Sequence, residues 1–106
     1  MLNFAYCSDK YQYTMGKSFY DSGMKDQHAV FNMFYRKAPE NNNWAVVSGV
    51  DEVIEMIENL GNMDPSFFEK FLPGEEYADF RGYLSAMKFT GTVYAMREGE
   101  IVFPNQ

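Results

Sequence analysis

Hydrophobic residues near the start of the chain recur with the period of a helix. The apolar positions that share this spacing are Tyr11, Met15, Phe19 and Tyr20. Ser8 or Asp9 can cap the start of such a helix, and Gly23 is a natural residue for its end. The pattern therefore predicts an N-terminal helix whose apolar stripe faces the core.

The next apolar segment, residues 28–36, has the composition of a strand. It is rich in aromatic and β-preferring residues and runs into Pro39. Both alternating faces are largely apolar, so we expect other parts of the protein to cover both faces of this strand. A polar loop follows at residues 40–43, and the short apolar segment 44–48 predicts a second strand.

Helical spacing returns in the middle of the chain. Its apolar positions are Val50, Val53, Ile54, Ile57 and Leu60, with acids on the opposite face and Gly61 as the stop. Asp64 and Pro65 form a cap-and-first-turn signature for a helix through Phe71. A further helix is predicted over residues 75–87.

The pattern changes again near the end of the chain. Apolar residues at 93–95 and 101–103 flank the turn 97–100, which predicts two paired strands. Helices and antiparallel strands are thus segregated along the sequence. This order is typical of an α+β fold rather than a regular series of β-α-β units.

Composition and charge narrow the class of protein. The chain has 106 residues, of which 46% are hydrophobic and 18% aromatic. That is one domain or part of one, and it is too apolar for intrinsic disorder. Fifteen acids against nine bases give a net charge of -6. This sign disfavours non-specific nucleic-acid binding, although a local basic pair can still meet a small anion.

The N-terminus and the cysteine count bear on location. Residues 1–7 lack the basic start of a signal peptide, and no apolar run is long enough for a membrane span. Cys7 is the single cysteine, so no disulfide can form within the chain. We therefore expect a cytoplasmic protein with no membrane partner.

Residue types offer little for catalysis within this chain. His28 is the only histidine, and no serine or cysteine nucleophile motif accompanies it. Cys7 is expected to be a buried, inert thiol rather than a reactive one. No spacing suggests metal ligands, and no glycine-rich phosphate loop is present. We expect neither a catalytic residue nor a metal site.

Two places could bind a ligand. Arg36 and Lys37 lie where the first predicted strand ends, and such a pair suits a phosphate or carboxylate because the arginine fork bonds two oxygens at once. Tyr11 lies in the first helical turn, where an exposed ring could stack on a planar ligand. Ordinary surface charge and a core position for Tyr11 are the alternatives, and the pattern alone favours them.

Four blocks of sequence carry a family resemblance: residues 9–15 (DKYQYTM), 29–39 (AVFNMFYRKAP), 44–60 (WAVVSGVDEVIEMIENL) and 89–105 (FTGTVYAMREGEIVFPN). In order and spacing these blocks resemble the nicotinate phosphoribosyltransferases. Departures are modest: Lys10 stands where the family has leucine, and residues 41–43 replace a glycine-rich loop. The resemblance implies an incomplete N-terminal domain segment over residues 1–106, with an α/β barrel absent from it.

The family resemblance also implies an activity. Such enzymes form nicotinate mononucleotide and diphosphate from nicotinate and phosphoribosyl diphosphate. The full-length enzyme would use ATP and Mg²⁺, with ATP hydrolysis coupled through a phosphorylated histidine. This histidine would lie in the barrel, beyond residue 106, and the residues around His28 do not match its context. The segment alone is expected to bind no cofactor and to be inactive.

Residue roles follow from the same resemblance. Tyr11 is expected to stack on the nicotinate ring across the interface of a head-to-tail homodimer. Arg36 is expected to contact the phosphates of phosphoribosyl diphosphate, with Lys37 as a weaker candidate. The segment's partners would then be its own barrel domain and a second subunit. The alternative is a stand-alone, non-catalytic α+β binding or interaction module.

Overall fold

The computed structural model describes residues 7–38 and 42–106. Its elements are α1 (Lys10–Asp21), β1 (Ala45–Val46), α2 (Val50–Glu58), α3 (Pro65–Phe71), a 3-10 turn (Glu75–Tyr77), α4 (Ala78–Ala86) and β2 (Ile101–Val102). The predicted α+β class is confirmed, and the described residues contain no barrel. The N-terminus and residues 39–41, which include part of the predicted polar loop, lie outside the described residues.

Helix α1 begins and ends where the sequence predicts. Asp9 is its N-cap, and the Asp9 backbone N–H donates to Oε1 of Gln12 at 2.8 Å. Asp9 and Gln12 thus form a capping box, which satisfies backbone N–H groups that otherwise have no partner at the start of a helix. At the other end, Gly23 has a positive φ of 70° and its N–H donates to the Tyr20 carbonyl. Glycine adopts this conformation without a steric penalty.

The apolar stripe predicted for α1 is rotated relative to the expectation. Tyr13 is buried, whereas Tyr11, Met15 and Phe19 are exposed. Tyr20, seven residues after Tyr13, lies on the same face and packs against the core. The spacing alone did not distinguish these faces because aromatic residues occur on both.

The core forms where α3 and α4 meet one face of α1. Its buried members are Tyr13, Met63, Phe68, Leu72, Phe80 and Leu84. Phe68 is fully buried, and its ring centroid lies 5.9 Å from that of Tyr13 in an edge-to-face arrangement. Such geometry places the positive edge of one ring on the negative face of the other. Aromatic contact therefore attaches the N-terminal helix to the helical pair.

Helix α3 confirms the cap signature read from the sequence. A carboxylate oxygen of Asp64 accepts the Ser66 backbone N–H at 2.9 Å, and Pro65 is the first helical residue. The predicted helix over residues 75–87 is instead a 3-10 turn followed by α4. Arg81 holds this junction by donating to the carbonyls of Leu72 and Gly74. The helix start is thus fixed by a long side chain.

The sheet differs from the expected pairing. Residues 93–95 form no strand, and β2 pairs with β1 in an antiparallel sheet rather than with its sequence neighbour. Ala45 lies opposite Val102 and Val46 opposite Ile101. Local hairpin patterning could not reveal this pairing because more than fifty residues separate the two strands.

The segment at residues 28–36 is not a strand, and the expectation of cover on both faces is wrong for these described residues. Val30, Phe31 and Met33 are 90%, 91% and 98% exposed. Strand formation depends on a neighbour that supplies backbone partners and side-chain contacts. Along residues 28–34 the described structure supplies no backbone partner from another segment. The radius of gyration, 16.7 Å, accordingly exceeds the roughly 13 Å of a compact domain of this length.

Phe68→Ala should remove about 3–5 kcal/mol from the free energy of unfolding of the 106-residue chain, because it opens a cavity in the core. Urea denaturation followed by far-UV circular dichroism measures this loss. Phe31→Ala is the matched control, since that ring is 91% exposed and its loss should change stability by about 0.5 kcal/mol or less. Equal effects of the two substitutions would contradict the described core.

Candidate substrate-binding site

Tyr11 lies on the surface of the first turn of α1. Its side chain is 62% exposed, which excludes the core position that the pattern favoured. Its backbone carbonyl accepts a hydrogen bond from the Thr14 hydroxyl at 3.0 Å, so the ring is carried by an ordered turn. An exposed ring on a rigid helix can offer one face to a planar ligand.

Arg36 and Lys37 follow the exposed apolar segment and lie at a bend of the backbone. Both side chains are exposed, and neither forms an ion pair with a carboxylate of residues 7–38 or 42–106. Their charges are therefore not neutralised by an acid within the described structure. An arginine and a lysine in this state are suited to an anion with several oxygens.

Tyr35 fixes the backbone that precedes Arg36. The Tyr35 hydroxyl donates to the Val102 carbonyl at 2.9 Å, and the Tyr35 carbonyl accepts the Asn105 N–H at 2.9 Å. Asn105 has a positive φ of 62°, a conformation that asparagine tolerates better than most residues. This contact was not predicted, since no local spacing in the sequence links residues 35 and 102.

Glu98 links the turn before β2 to the start of α2. Its carboxylate accepts the backbone N–H groups of Gly49 and Val50, each at 2.9 Å, at the start of α2. These hydrogen bonds hold the pKa of Glu98 below its usual value. The turn at residues 97–100 was predicted, but its side-chain link to α2 was not. The sequence signal for this link is the N-cap residue of α2, Gly49, which has no side chain that could cap the helix.

No contact between described residues joins Tyr11 to the Arg36–Lys37 pair, whether by hydrogen bond, ion pair or ring contact. A shallow cleft of about 390 Å³ lies elsewhere, lined by Lys25, Asp26, Gln27, His28, Tyr83, Ala86, Met87, Lys88 and Thr90. Tyr11, Arg36 and Lys37 thus lie on open surface, where a ligand would be enclosed only by further protein.

The remaining candidates, Cys7 and His28, lie on the surface of the described structure. Cys7 is exposed, so the expectation of a buried thiol is wrong. His28 is exposed at the rim of the cleft. Within residues 7–38 and 42–106, no three histidine, cysteine or acidic side chains come together as metal ligands. None of the helices described is long and apolar enough to cross a membrane.

The fold and its exposed residues define the class as a small α+β domain with open, ligand-capable side chains. The family model described as the nicotinate phosphoribosyltransferase (NAPRTase) N-terminal domain matches residues 7–106. The chain belongs to this family. The resemblance seen in the four sequence blocks is thereby confirmed over almost the whole chain.

Relatives from bacteria and plants agree with the family match. The chain is 37% identical to the nicotinate phosphoribosyltransferase of Bacillus subtilis over 93% of its length, covering 20% of that protein. It is 33% identical to nicotinate phosphoribosyltransferase 2 of Arabidopsis thaliana over 92% of its length, covering 18% of that protein. The chain thus spans about a fifth of the length of these relatives. No solved structure shows a significant match.

Glu98→Gln should lower the thermal unfolding midpoint of the chain at pH 7, because the amide is a weaker acceptor for the two N–H groups of α2. A lowered folded-state pKa means that the stabilisation is complete above the ordinary carboxyl pKa of about 4.5 and lost as the pH falls below it. The difference between wild type and variant should therefore shrink in acid.

Calorimetry between pH 7 and pH 3 measures this difference. Glu58→Gln is the matched control, since it removes an exposed carboxylate from the opposite end of the same helix. A difference that stays constant with pH, or an equal one for Glu58→Gln, would show that the Glu98 carboxylate does not hold α2.

Proposed function

We propose that this chain is the substrate-contacting N-terminal part of a nicotinate phosphoribosyltransferase. The full-length enzyme would form nicotinate mononucleotide and diphosphate from nicotinate and phosphoribosyl diphosphate, coupled to ATP hydrolysis with Mg²⁺, in the cytoplasm. The observation that carries this proposal is the family match over residues 7–106, in a chain whose candidate contact residues are all exposed.

Tyr11 supports a role at the aromatic end of the substrates. Nicotinate is a planar ring, and the exposed Tyr11 ring stands on the capped first turn of α1. Stacking between rings adds about 1 kcal/mol to binding beyond the area that it buries. In our proposal Tyr11 stacks on nicotinate bound to the partner subunit of a homodimer.

Arg36 and Lys37 support a role at the anionic end. Phosphoribosyl diphosphate carries several phosphate charges, whereas the chain as a whole has a net charge of -6. Binding therefore needs local bases that are not already neutralised, and this pair is free of ion pairs with the described carboxylates. In our proposal Arg36 makes a bidentate phosphate contact and Lys37 adds a weaker one.

The exposed apolar segment supports a dependence on further protein. Side chains of residues 30, 31 and 33 are at least 90% exposed, which is unfavourable for a chain that acts alone. In our proposal they pack on the enzyme's own barrel domain or on a second subunit. The 106-residue chain alone would show no turnover, and steady formation of nicotinate mononucleotide by it would refute this division of roles.

Tyr11→Ala and Arg36→Ala should impair different substrates of the full-length enzyme. Tyr11→Ala should weaken nicotinate binding by about 1 kcal/mol. Arg36→Ala should weaken phosphoribosyl diphosphate binding by about 2–5 kcal/mol, because it removes a charged contact. Arg36→Lys should restore only part of this loss, since an ammonium group cannot form the bidentate contact.

Steady-state kinetics with each substrate varied in turn separates the two effects. Thermal unfolding of each variant controls for loss of structure. If both alanine variants unfold earlier but keep both Michaelis constants, Tyr11 and Arg36 are structural residues and the proposed contacts are wrong.

Subunit mixing tests whether the segment serves its own barrel or that of its partner. One variant carries Arg36→Ala and another lacks the barrel histidine, so that each is nearly inactive alone. If sites are shared, one site of a mixed dimer has both lesions and the other has neither. Random reassortment then restores about a quarter of full activity.

Differently tagged chains and native mass spectrometry show whether mixed dimers have formed. With mixing established, sites built within one chain would each keep one lesion and no activity would return. That result would contradict the cross-subunit contact. Recovery near a quarter would support it.

A further inference from the structure

Tyr35 stands out from the segment that surrounds it. Neighbouring side chains such as Phe31 and Met33 project into solvent, whereas Tyr35 is half-buried. Its hydroxyl forms a hydrogen bond with residue 102, which is 67 positions further along the chain. Among the described residues 28–38, Tyr35 has the one side chain that forms a hydrogen bond with another element, at 2.9 Å. The otherwise open segment is thus attached at the position before Arg36.

Two hydrogen bonds define the position of Tyr35. The hydroxyl reaches the Val102 carbonyl, and the backbone carbonyl of Tyr35 receives the Asn105 N–H, both at 2.9 Å. Val102 is itself in register with Ala45 across the sheet. Tyr35 is therefore anchored through its side chain and its backbone to the same stretch of chain.

The backbone anchor extends to Arg36 through covalent geometry. The Tyr35 carbonyl and the Arg36 N–H belong to one planar peptide unit. The hydrogen bond from the Asn105 N–H to this carbonyl therefore restrains the orientation of the peptide plane that precedes the Arg36 Cα. The hydroxyl bond restrains the direction in which the Tyr35 side chain leaves its Cα. Together they limit the directions in which the Arg36 side chain can leave the backbone, although that side chain itself is exposed.

The geometry points to Tyr35 as a positioning residue that orients Arg36 toward the phosphates of the sugar substrate through its hydroxyl bond to Val102. This inference rests on the proposed function and adds to it a residue that touches no substrate. An arginine whose backbone is restrained loses less conformational freedom when it binds a phosphate, so this restraint strengthens the contact.

Tyr35→Phe tests the inference because it removes the hydroxyl and keeps the ring. In the full-length enzyme, the dissociation constant for phosphoribosyl diphosphate should rise about three- to tenfold, the effect of one neutral hydrogen bond. The dissociation constant for nicotinate should not change. Tyr94→Phe is the matched control, since the Tyr94 ring is 94% exposed. Isothermal titration calorimetry measures each constant.

A double-substitution cycle separates positioning from general stabilisation. If the hydroxyl acts through Arg36, Tyr35→Phe should have no further effect on phosphoribosyl diphosphate binding once Arg36→Ala is present. An additive loss in that background would overturn the inference, because the hydroxyl would then act independently of Arg36.

The remaining outcomes distinguish this inference from the function on which it rests. If Arg36→Ala weakens binding and Tyr35→Phe leaves it unchanged, the positioning role is wrong and the phosphate contact stands. If Arg36→Ala itself leaves binding unchanged, the phosphate contact is wrong and the role of Tyr35 is overturned with it. An equal effect of Tyr94→Phe would also overturn the role of Tyr35.

Discussion

The pairing of β2 with a distant strand is the constraint on which the non-helical part of this molecule depends. Strand β2 spans Ile101–Val102 and pairs with β1. The turn before it supplies the carboxylate of Glu98 to the start of α2, and its own Val102 carbonyl accepts the Tyr35 hydroxyl. Three segments far apart in sequence are thus held by one short stretch of backbone. Loss of that pairing would release all of them together.

The helical part is held by a different kind of force. Buried aromatic rings of α1, α3 and α4 form its core, and burial of apolar area stabilises it. The sheet side relies instead on a few hydrogen bonds, each worth about 1 kcal/mol. This contrast suits a domain that presents Tyr11 from a rigid helix and Arg36 from a segment tied down at one point. In the proposed enzyme, further protein would cover the apolar side chains next to Arg36.

Features determined by neighbouring residues could be predicted from the sequence. The caps at Asp9 and Asp64 and the glycine after α1 are local devices, and all three occur where expected. The strand expected at residues 28–36 failed because strands need partners that composition does not specify. The pairing of β1 with β2 could not be read for the same reason.

The candidate site shows the same difference between local features, which could be predicted, and long-range contacts, which could not. Residue types identified Tyr11 and the Arg36–Lys37 pair as possible ligand contacts, and the structure places all three on the surface. The hydrogen bond next to Arg36, from Tyr35 to Val102, joins residues 67 positions apart, and the bond from Gly49 to Glu98 at the start of α2 joins residues 49 positions apart. No periodicity reports such contacts, so only the folded chain reveals them.

Transfer of residues 7–106 into a relative tests whether this chain can serve as the N-terminal part of a nicotinate phosphoribosyltransferase. Residues 7–106 would replace the matching part of the Bacillus subtilis nicotinate phosphoribosyltransferase, to which the chain is 37% identical. Formation of nicotinate mononucleotide from nicotinate and phosphoribosyl diphosphate would then be measured, with the enzyme lacking that part as the control. We expect the chimera to be active and the truncated control to be inactive. A chimera that folds and assembles like the parent enzyme but forms no product would contradict this expectation.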